Sequence, residues 1–150
     1  MKVTISRLKD DPPYHLLLDA DPSKSLVDSY LERGHCYVCT LDDKMVGVYV
    51  LLPTRPKTIE IVNIAVDPSY QGKGIGKLLV HDAIEKGSEL GFTTIEIGTG
   101  NSSLSQLGLY QKCGFRIIGI DRDYFIRHYE DEIFENGIQC TDMVRLARYL

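Results

Sequence analysis

The sequence predicts an α/β fold: one mixed, mostly antiparallel sheet with helices on both faces. Three observations carry this. The strand-like run Thr58–Val66 passes through a glycine-rich turn into the helical run Ile75–Leu90, and then into a second strand-like run, Thr93–Ile97. A strand–helix–strand unit implies a right-handed crossover between parallel strands. A hairpin pattern precedes the unit, and further strand-like runs follow it, which implies antiparallel pairing on either side. The 150 residues suit a single domain, 1–150, with a full core.

In chain order, Val3–Arg7 alternates apolar and polar residues and reads as the first strand. Ser23–Arg33 reads as a helix stopped by Gly34. Cys36–Leu41 and Met45–Leu52 flank Asp42-Asp43-Lys44 as a hairpin, and Pro53-Thr54-Arg55-Pro56 reads as the turn that closes it. The run Ile75–Leu90 places Ile75, Leu78, Leu79, Ala83 and Leu90 near helical spacing, with Glu85 and Lys86 on the polar side and Gly91 as its stop. Gly98–Ser103 reads as a loop and Leu104–Cys113 as a helix ended by Gly114. Phe115–Asp121 and Ile138–Tyr149 read as the last strands. Between them, 122–137 is acidic and aromatic without a clean period.

Composition narrows the function classes. Charged residues make up 25% and the net charge is −4, which argues against nucleic-acid binding through a broad basic surface. The first residues become charged before an apolar leader could form, and the longest apolar run, Val46–Leu52, is too short to span a bilayer. A cytoplasmic protein without a membrane partner is the expectation. Cys36 and Cys39 have metal-site spacing, but residues three apart on a strand point to opposite faces, and no second pair completes a site. Free core thiols and no metal are expected, with Cys113 packing a helix.

The chemistry centres on Gln71-Gly72-Lys73-Gly74-Ile75-Gly76-Lys77. Alternate glycines leave the backbone bare where a helix begins. Unpaired N–H groups and the helix dipole there suit a phosphate or pyrophosphate. A P-loop reading fails, because only three residues separate Gly72 from Gly76-Lys77 and Leu78 replaces the Ser or Thr. A dinucleotide reading fails at Lys77, where the third glycine belongs. Lys73 and Lys77 either add charge beside the phosphates or are solvated.

The run Gln71–Gly76 resembles the Gln/Arg-x-x-Gly-x-Gly/Ala signature of the GNAT acetyltransferase superfamily. Leu109-Tyr110-Gln111-Lys112-Cys113-Gly114-Phe115 resembles that family's Leu-Tyr-x-Lys-x-Gly-Phe block. The resemblance covers about Thr58 to Ile120. It implies acetyl-coenzyme A as co-substrate and a central parallel pair, Thr58–Val66 and Thr93–Ile97, that splays apart. The pantetheine arm would lie in the splay, against the backbone of Ile64, Ala65 and Val66. Gln71, Gly72, Lys73, Gly74, Ile75, Gly76 and Lys77 would wrap the pyrophosphate. Asn101 resembles an asparagine that binds the pantetheine arm, although it stands nine residues before Tyr110, longer than the family's usual spacing.

Acetyl transfer to an amine needs a base, because an amine with a pKa near 10.4 is almost wholly protonated at neutral pH. It also needs donors for the developing oxyanion and the leaving thiolate. Glu60 is the one ionisable residue in Ile59–Val66 and is the leading base; burial in an apolar strand would raise its pKa. The alternative is a strand glutamate that faces solvent or pairs with a Lys or Arg. Alternation groups Glu60 with Val62 and Ile64, and Asn63 with Ile61 and Ala65, unless a bulge intervenes. Asn63 is thus a candidate to orient the acceptor or a water. The resemblance makes Tyr110 the general acid; the alternative is a packed aromatic. The segment 124–136 lies where the family's acceptor loop falls. Its carboxylates and aromatics either receive a cationic amine or form a solvated loop, with His128 a second base candidate.

Two function classes follow. The first is an N-acetyltransferase acting on a primary amine of a small molecule or peptide. The second is a non-catalytic acyl-coenzyme A sensor on the same fold. A homodimer is compatible with either.

Overall fold

The computed structural model describes residues 2–150. The sheet has the strand order β1-β2-β3-β4-β5-β9-β6. Its strands are β1 (Val3–Arg7), β2 (His35–Leu41), β3 (Lys44–Arg55), β4 (Thr58–Val66), β5 (Thr94–Gly100), β6 (Arg116–Asp121) and β9 (Met143–Tyr149). A small hairpin, β7 (Phe134–Glu135) with β8 (Ile138–Gln139), lies outside it. The helices are α1 (Tyr14–Ala20), α2 (Lys24–Arg33), α3 (Ile75–Glu89), α4 (Leu104–Lys112) and α5 (Tyr124–His128). Every pairing in the large sheet is antiparallel except β4 with β5. No described helix is long and apolar enough to cross a membrane.

The sheet separates two apolar cores. On one face α3 and α4 bring Ile75, Leu79, Val80, Ala83 and Tyr110 onto Tyr49, Leu51, Ile59, Ile61, Ile95 and Leu146. On the other, α1 and α2 bring Leu16, Leu17, Val27 and Tyr30 onto Val38, Val48, Val50 and Ala65. The cysteines follow strand alternation. Cys39 packs in the first core and Cys36 in the second, and all four thiols are free and buried.

Two features of β4 shape the site. It pairs with β5 only from Thr58 to Ile61, against Thr94 to Ile97. Beyond that the two strands part, so the splay expected between them is present and the β4 edge over 62–66 is open. A bulge also interrupts its pairing with β3: Val50 opposes Asn63 and Leu51 opposes Ile61, which leaves Val62 as the extra residue. The bulge turns Asn63 to the α1–α2 face, together with Ala65, and turns Ile64 and Val66 toward the α3–α4 core. Simple alternation had grouped Ile64 with Glu60.

Other boundaries differ from the sequence reading for local reasons. Helix α1 is seven residues long, too short for a period to register, although Pro13 at its N-cap and the Leu16-Leu17 pair are its signals. The run Pro53–Arg55 is the end of β3 rather than a turn, tolerated through an irregular register. Strand β5 continues to Gly100 because β9 pairs with it throughout. Ile138–Tyr149 is broken into β8 and β9. The segment 122–137 contains α5 and β7, with the β7–β8 turn at Asn136-Gly137, both at positive φ.

Candidate active site

The turn after β4 is built from its sequence. Asp67 accepts from the Ser69 N–H (2.9 Å) and starts a short 3-10 turn, Pro68–Tyr70. The Gln71 amide donates back to the Val66 carbonyl (3.1 Å), which ties the loop to the strand end. Gly72 and Gly74 have φ of +76° and +84°, and a Cβ at either would meet nothing within 4 Å. The left-handed conformation favours glycine there, and the space beside it is open. Gly74 is the N-cap of the fifteen-residue helix α3, and no side chain caps that end. Its first N–H groups are free to receive an anion.

A groove of about 440 Å³ runs from this turn along the open β4 edge. It is lined by Ile64, Ala65, Val66, Gln71, Gly72, Gly74, Ile75, Gly76, Lys77 and Tyr110, among others. Ten of the expected cofactor residues thus share one groove. Lys73 is not on its wall; its ammonium lies 5.3 Å from the ring centre of Tyr70, which is. Asn101 is held elsewhere. Its amide donates to the Gln139 carbonyl (3.1 Å) and its oxygen accepts from the N–H groups of Thr141 and Asp142 (2.8 and 3.0 Å). With its amide engaged in holding the β8–β9 connection, Asn101 lines neither the groove nor the cavity next to it.

That cavity, of about 300 Å³, fills the splay. Ala20, Ile64, Gln106 and Tyr110 line both spaces and form their junction. Tyr110 is buried in α4, its ring 6.3 Å from Phe115, and burial pushes its phenol well above the usual range. Its hydroxyl has no hydrogen-bond partner among the described residues. Tyr110 therefore packs on the core and also lines the two cavities.

Glu60 lines the cavity. Burial raises its carboxyl above the usual carboxylate range; Arg145 pulls it partly back and Glu96 pushes it further up. Its Oε1 lies 3.6 Å from the Arg145 guanidinium. A desolvated carboxylate and one with an arginine partner were alternatives in the sequence; the structure combines them. Asn63 is 4% exposed, and its Nδ2 donates to the Leu17 carbonyl (3.0 Å) and the Tyr30 hydroxyl (2.8 Å). It thereby anchors the ends of α1 and α2 over the cavity.

His128 is not brought to the cavity. It is exposed on α5, its ring centre 4.5 Å from that of Tyr124 with the planes tilted by 48°. Glu130, Asp131 and Glu132 are also exposed, whereas Tyr124, Phe125, Tyr129 and Glu135 line the cavity. The acidic-aromatic segment thus divides into a solvated stretch and a wall. Among the described residues no group of three or more His, Cys, Asp or Glu is placed to hold a metal ion.

The sequence reading missed Asp21, Tyr30, Gln106 and Arg145. Gln106 precedes Tyr110 by one helical turn and is detectable from that spacing. Arg145 alternates with the buried Val144 and Leu146, which puts it on the Glu60 face, but only the β5–β9 register brings the two together. Asp21 and Tyr30 depend on how α1 and α2 pack, which no local pattern encodes.

The fold agrees with the comparisons to known proteins. The chain belongs to the acetyltransferase (GNAT) family, whose sequence model matches residues 4–115. It is 64% identical to the uncharacterized N-acetyltransferase YvbK of Bacillus subtilis over 97% of this chain and 94% of that one. A Bacillus subtilis acetyltransferase solved in complex with CoA is 63% identical and superposes with a TM-score of 0.96, over 99% of both chains. A GNAT family acetyltransferase from Elizabethkingia anophelis, solved with acetyl-CoA bound, is 46% identical with a TM-score of 0.97, over 99% of this chain and 98% of that one.

Proposed function

We propose that this chain moves an acetyl group from acetyl-coenzyme A to the nitrogen of a primary amine. One observation carries the reading: Tyr110 stands at the junction of a groove that suits the coenzyme and a cavity that holds the half-buried carboxylate of Glu60. The groove fits the coenzyme through the chain's own features. These are an uncapped helix N-terminus, the open space beside Gly72 and Gly74, and a strand edge with free backbone groups. The two similar structures that carry CoA and acetyl-CoA support the same assignment.

Bound there, acetyl-coenzyme A supplies an activated thioester carbonyl. The N–H groups at the start of α3 and the Gly72–Gly76 backbone hold the pyrophosphate, with Lys77 adding charge. The backbone of Ile64, Ala65 and Val66 takes the pantetheine arm along the open edge. Glu60 accepts a proton from the acceptor ammonium, directly or through one water, so that the nitrogen lone pair is free. Its raised pKa matches this task better than an ordinary carboxylate would. Tyr110 donates its phenol proton to the departing sulfur. In sum a C–N bond forms and the C–S bond breaks; nitrogen gives up two protons, the first through Glu60 to solvent before attack and the second as the tetrahedral adduct collapses, and the second replaces the proton that Tyr110 delivers to sulfur, so the phenol is restored and one proton is released overall.

The test is thiol release from acetyl-coenzyme A with a panel of amines, run beside calorimetric titration of the coenzyme. Coenzyme binding with amine-dependent thiol release is the expected result. Binding without release from any amine would leave a sensor on the same fold and overturn the catalytic reading.

A further inference from the structure

The cavity under Tyr110 has a marked imbalance of charge and hydrogen bonding. Its wall carries three carboxylates, Asp21, Glu60 and Glu135, against one guanidinium, Arg145. Asp21 accepts from the Tyr129 hydroxyl (2.9 Å), the Tyr30 hydroxyl (3.3 Å) and the Ser23 N–H (3.1 Å). Glu135 accepts from the Ser103 hydroxyl (2.8 Å). All these donors are neutral, and neither carboxylate has a cationic partner among the described residues. Arg145, the one positive group, faces Glu60. Tyr124, Phe125 and Tyr129 complete the wall, with the last two rings stacked at 5.7 Å. Aromatic faces attract cations and offer nothing to a carboxylate.

Asn63 holds the same wall in place. It lies on the same wall, almost wholly buried, and its Oδ1 has no protein donor among the described residues. Its orientation is fixed, because the Leu17 carbonyl can only accept and so must face the NH2 group. That oxygen is closed to a water-sized probe, so it is no contact for the acceptor. Carboxylates and aromatic faces together call for a donor-rich, cationic molecule. The cavity volume is at the small end of small-molecule sites, which excludes enclosing a folded or bulky acceptor.

We propose that the acceptor is a small diamine: one nitrogen reaches the junction at Glu60 and Tyr110, and a second cationic nitrogen rests on the Asp21–Glu135 side. Amines that carry a carboxylate are rejected. This rests on the acetyl-transfer reading above.

Three acceptors of matched length test it: 1,4-diaminobutane, n-butylamine and 4-aminobutanoate, which differ only in whether the far end is cationic, apolar or anionic. Thiol release is measured with acetyl-coenzyme A at saturation, and coenzyme binding is measured on the same preparation. The diamine should exceed 4-aminobutanoate by at least tenfold in kcat/KM and n-butylamine by at least threefold. Glu135→Gln keeps an acceptor for Ser103 but removes the charge, and should cut the diamine-to-butylamine ratio at least threefold. A diamine no better than n-butylamine, or matched by 4-aminobutanoate, overturns the acceptor class and leaves acetyl transfer standing. An unchanged ratio in Glu135→Gln removes that residue's side of the cavity from recognition and overturns the placement. Coenzyme binding with no release from any of the three overturns the acceptor class, and the broader amine panel above then decides whether acetyl transfer itself stands.

Discussion

Glu60 and Arg145 face each other across the splay, Oε1 to Nη1 at 3.6 Å, from strands β4 and β9 with β5 between them. The separation is longer than a direct charge-assisted hydrogen bond, so the carboxylate keeps its lone pairs for a proton. Arg145 still acts on it electrostatically. Burial favours the neutral acid and the guanidinium favours the carboxylate. The pair therefore sets how much base is available at a given pH.

Removing the guanidinium should move that balance one way. In Arg145→Gln the downward pull on Glu60 is lost, so its pKa rises further. Only the deprotonated form accepts a proton. The ascending limb of the kcat/KM profile should shift to higher pH, with activity recovering at the alkaline end. Glu60→Gln should abolish the limb and depress turnover near neutrality by roughly 10²–10⁴-fold, the range for a general base. A limb that stays in place in Arg145→Gln would dissociate it from Glu60.

Tyr110→Phe keeps the ring in its packing against Phe115 and removes only the hydroxyl. That hydroxyl has no protein partner among the described residues, so the fold should lose little. Turnover should fall by roughly 10²–10⁴-fold while coenzyme affinity changes less. The contrast between the two readouts separates the roles. Equal loss of affinity and turnover points to a binding contact; no loss of either leaves an aromatic of the core.

At Gly74 a matched pair of substitutions separates charge from bulk. Asp and Asn both tolerate the left-handed conformation that φ +84° demands, and a Cβ there meets nothing within 4 Å. Both are also good N-cap residues. Gly74→Asp places a carboxylate beside the proposed pyrophosphate site and should weaken acetyl-coenzyme A binding by about tenfold or more, roughly 1.4 kcal/mol. Gly74→Asn should weaken it less. Calorimetric titration of both variants decides; equal affinities would mean that no phosphate sits at this helix end.

How much of this was legible depended on whether the signal was local. The strand, glycine turn and helix from Thr58 to Leu90 were readable because period, turn chemistry and stop residue agree within one stretch. Glu60 stood out as a lone charge among apolar residues. Asn101 stands in a run that suggests a loop leading into α4, whereas its partners, at 139, 141 and 142, are remote in sequence. The cavity wall of Asp21, Tyr30, Glu135 and Arg145 is assembled by pairing and packing across the chain, and single-residue patterns carry no trace of such contacts. The bulge at Val62 is similar. It follows from the β3–β4 register, and it decides that Asn63 faces the same side as Glu60.

Gly34 gives a test of the packing that supports this wall. The sequence marks it as a helix stop, which suggests the usual left-handed glycine. Its φ is instead −104°, a value open to any residue, so backbone conformation is not why glycine is there. Space is the reason: a Cβ would lie 2.6 Å from the Leu51 carbonyl oxygen and 2.7 Å from that of Tyr30. Both are backbone atoms, held in β3 and α2, so neither can swing away. Gly34→Ala should force α2 off the sheet and cost about 1–3 kcal/mol, the scale of core overpacking. The melting temperature should fall by roughly 2–12 °C for a domain of this size. Tyr30 ends the same helix turn and holds Asn63 and Asp21 by hydrogen bonds, so the displacement should reach the cavity. Acceptor KM should therefore rise while coenzyme affinity, set on the α3 side, stays near the parent value. Thermal denaturation and steady-state kinetics on the same sample measure both effects. A variant as stable as the parent would show that α2 is not clamped against β3 at this contact.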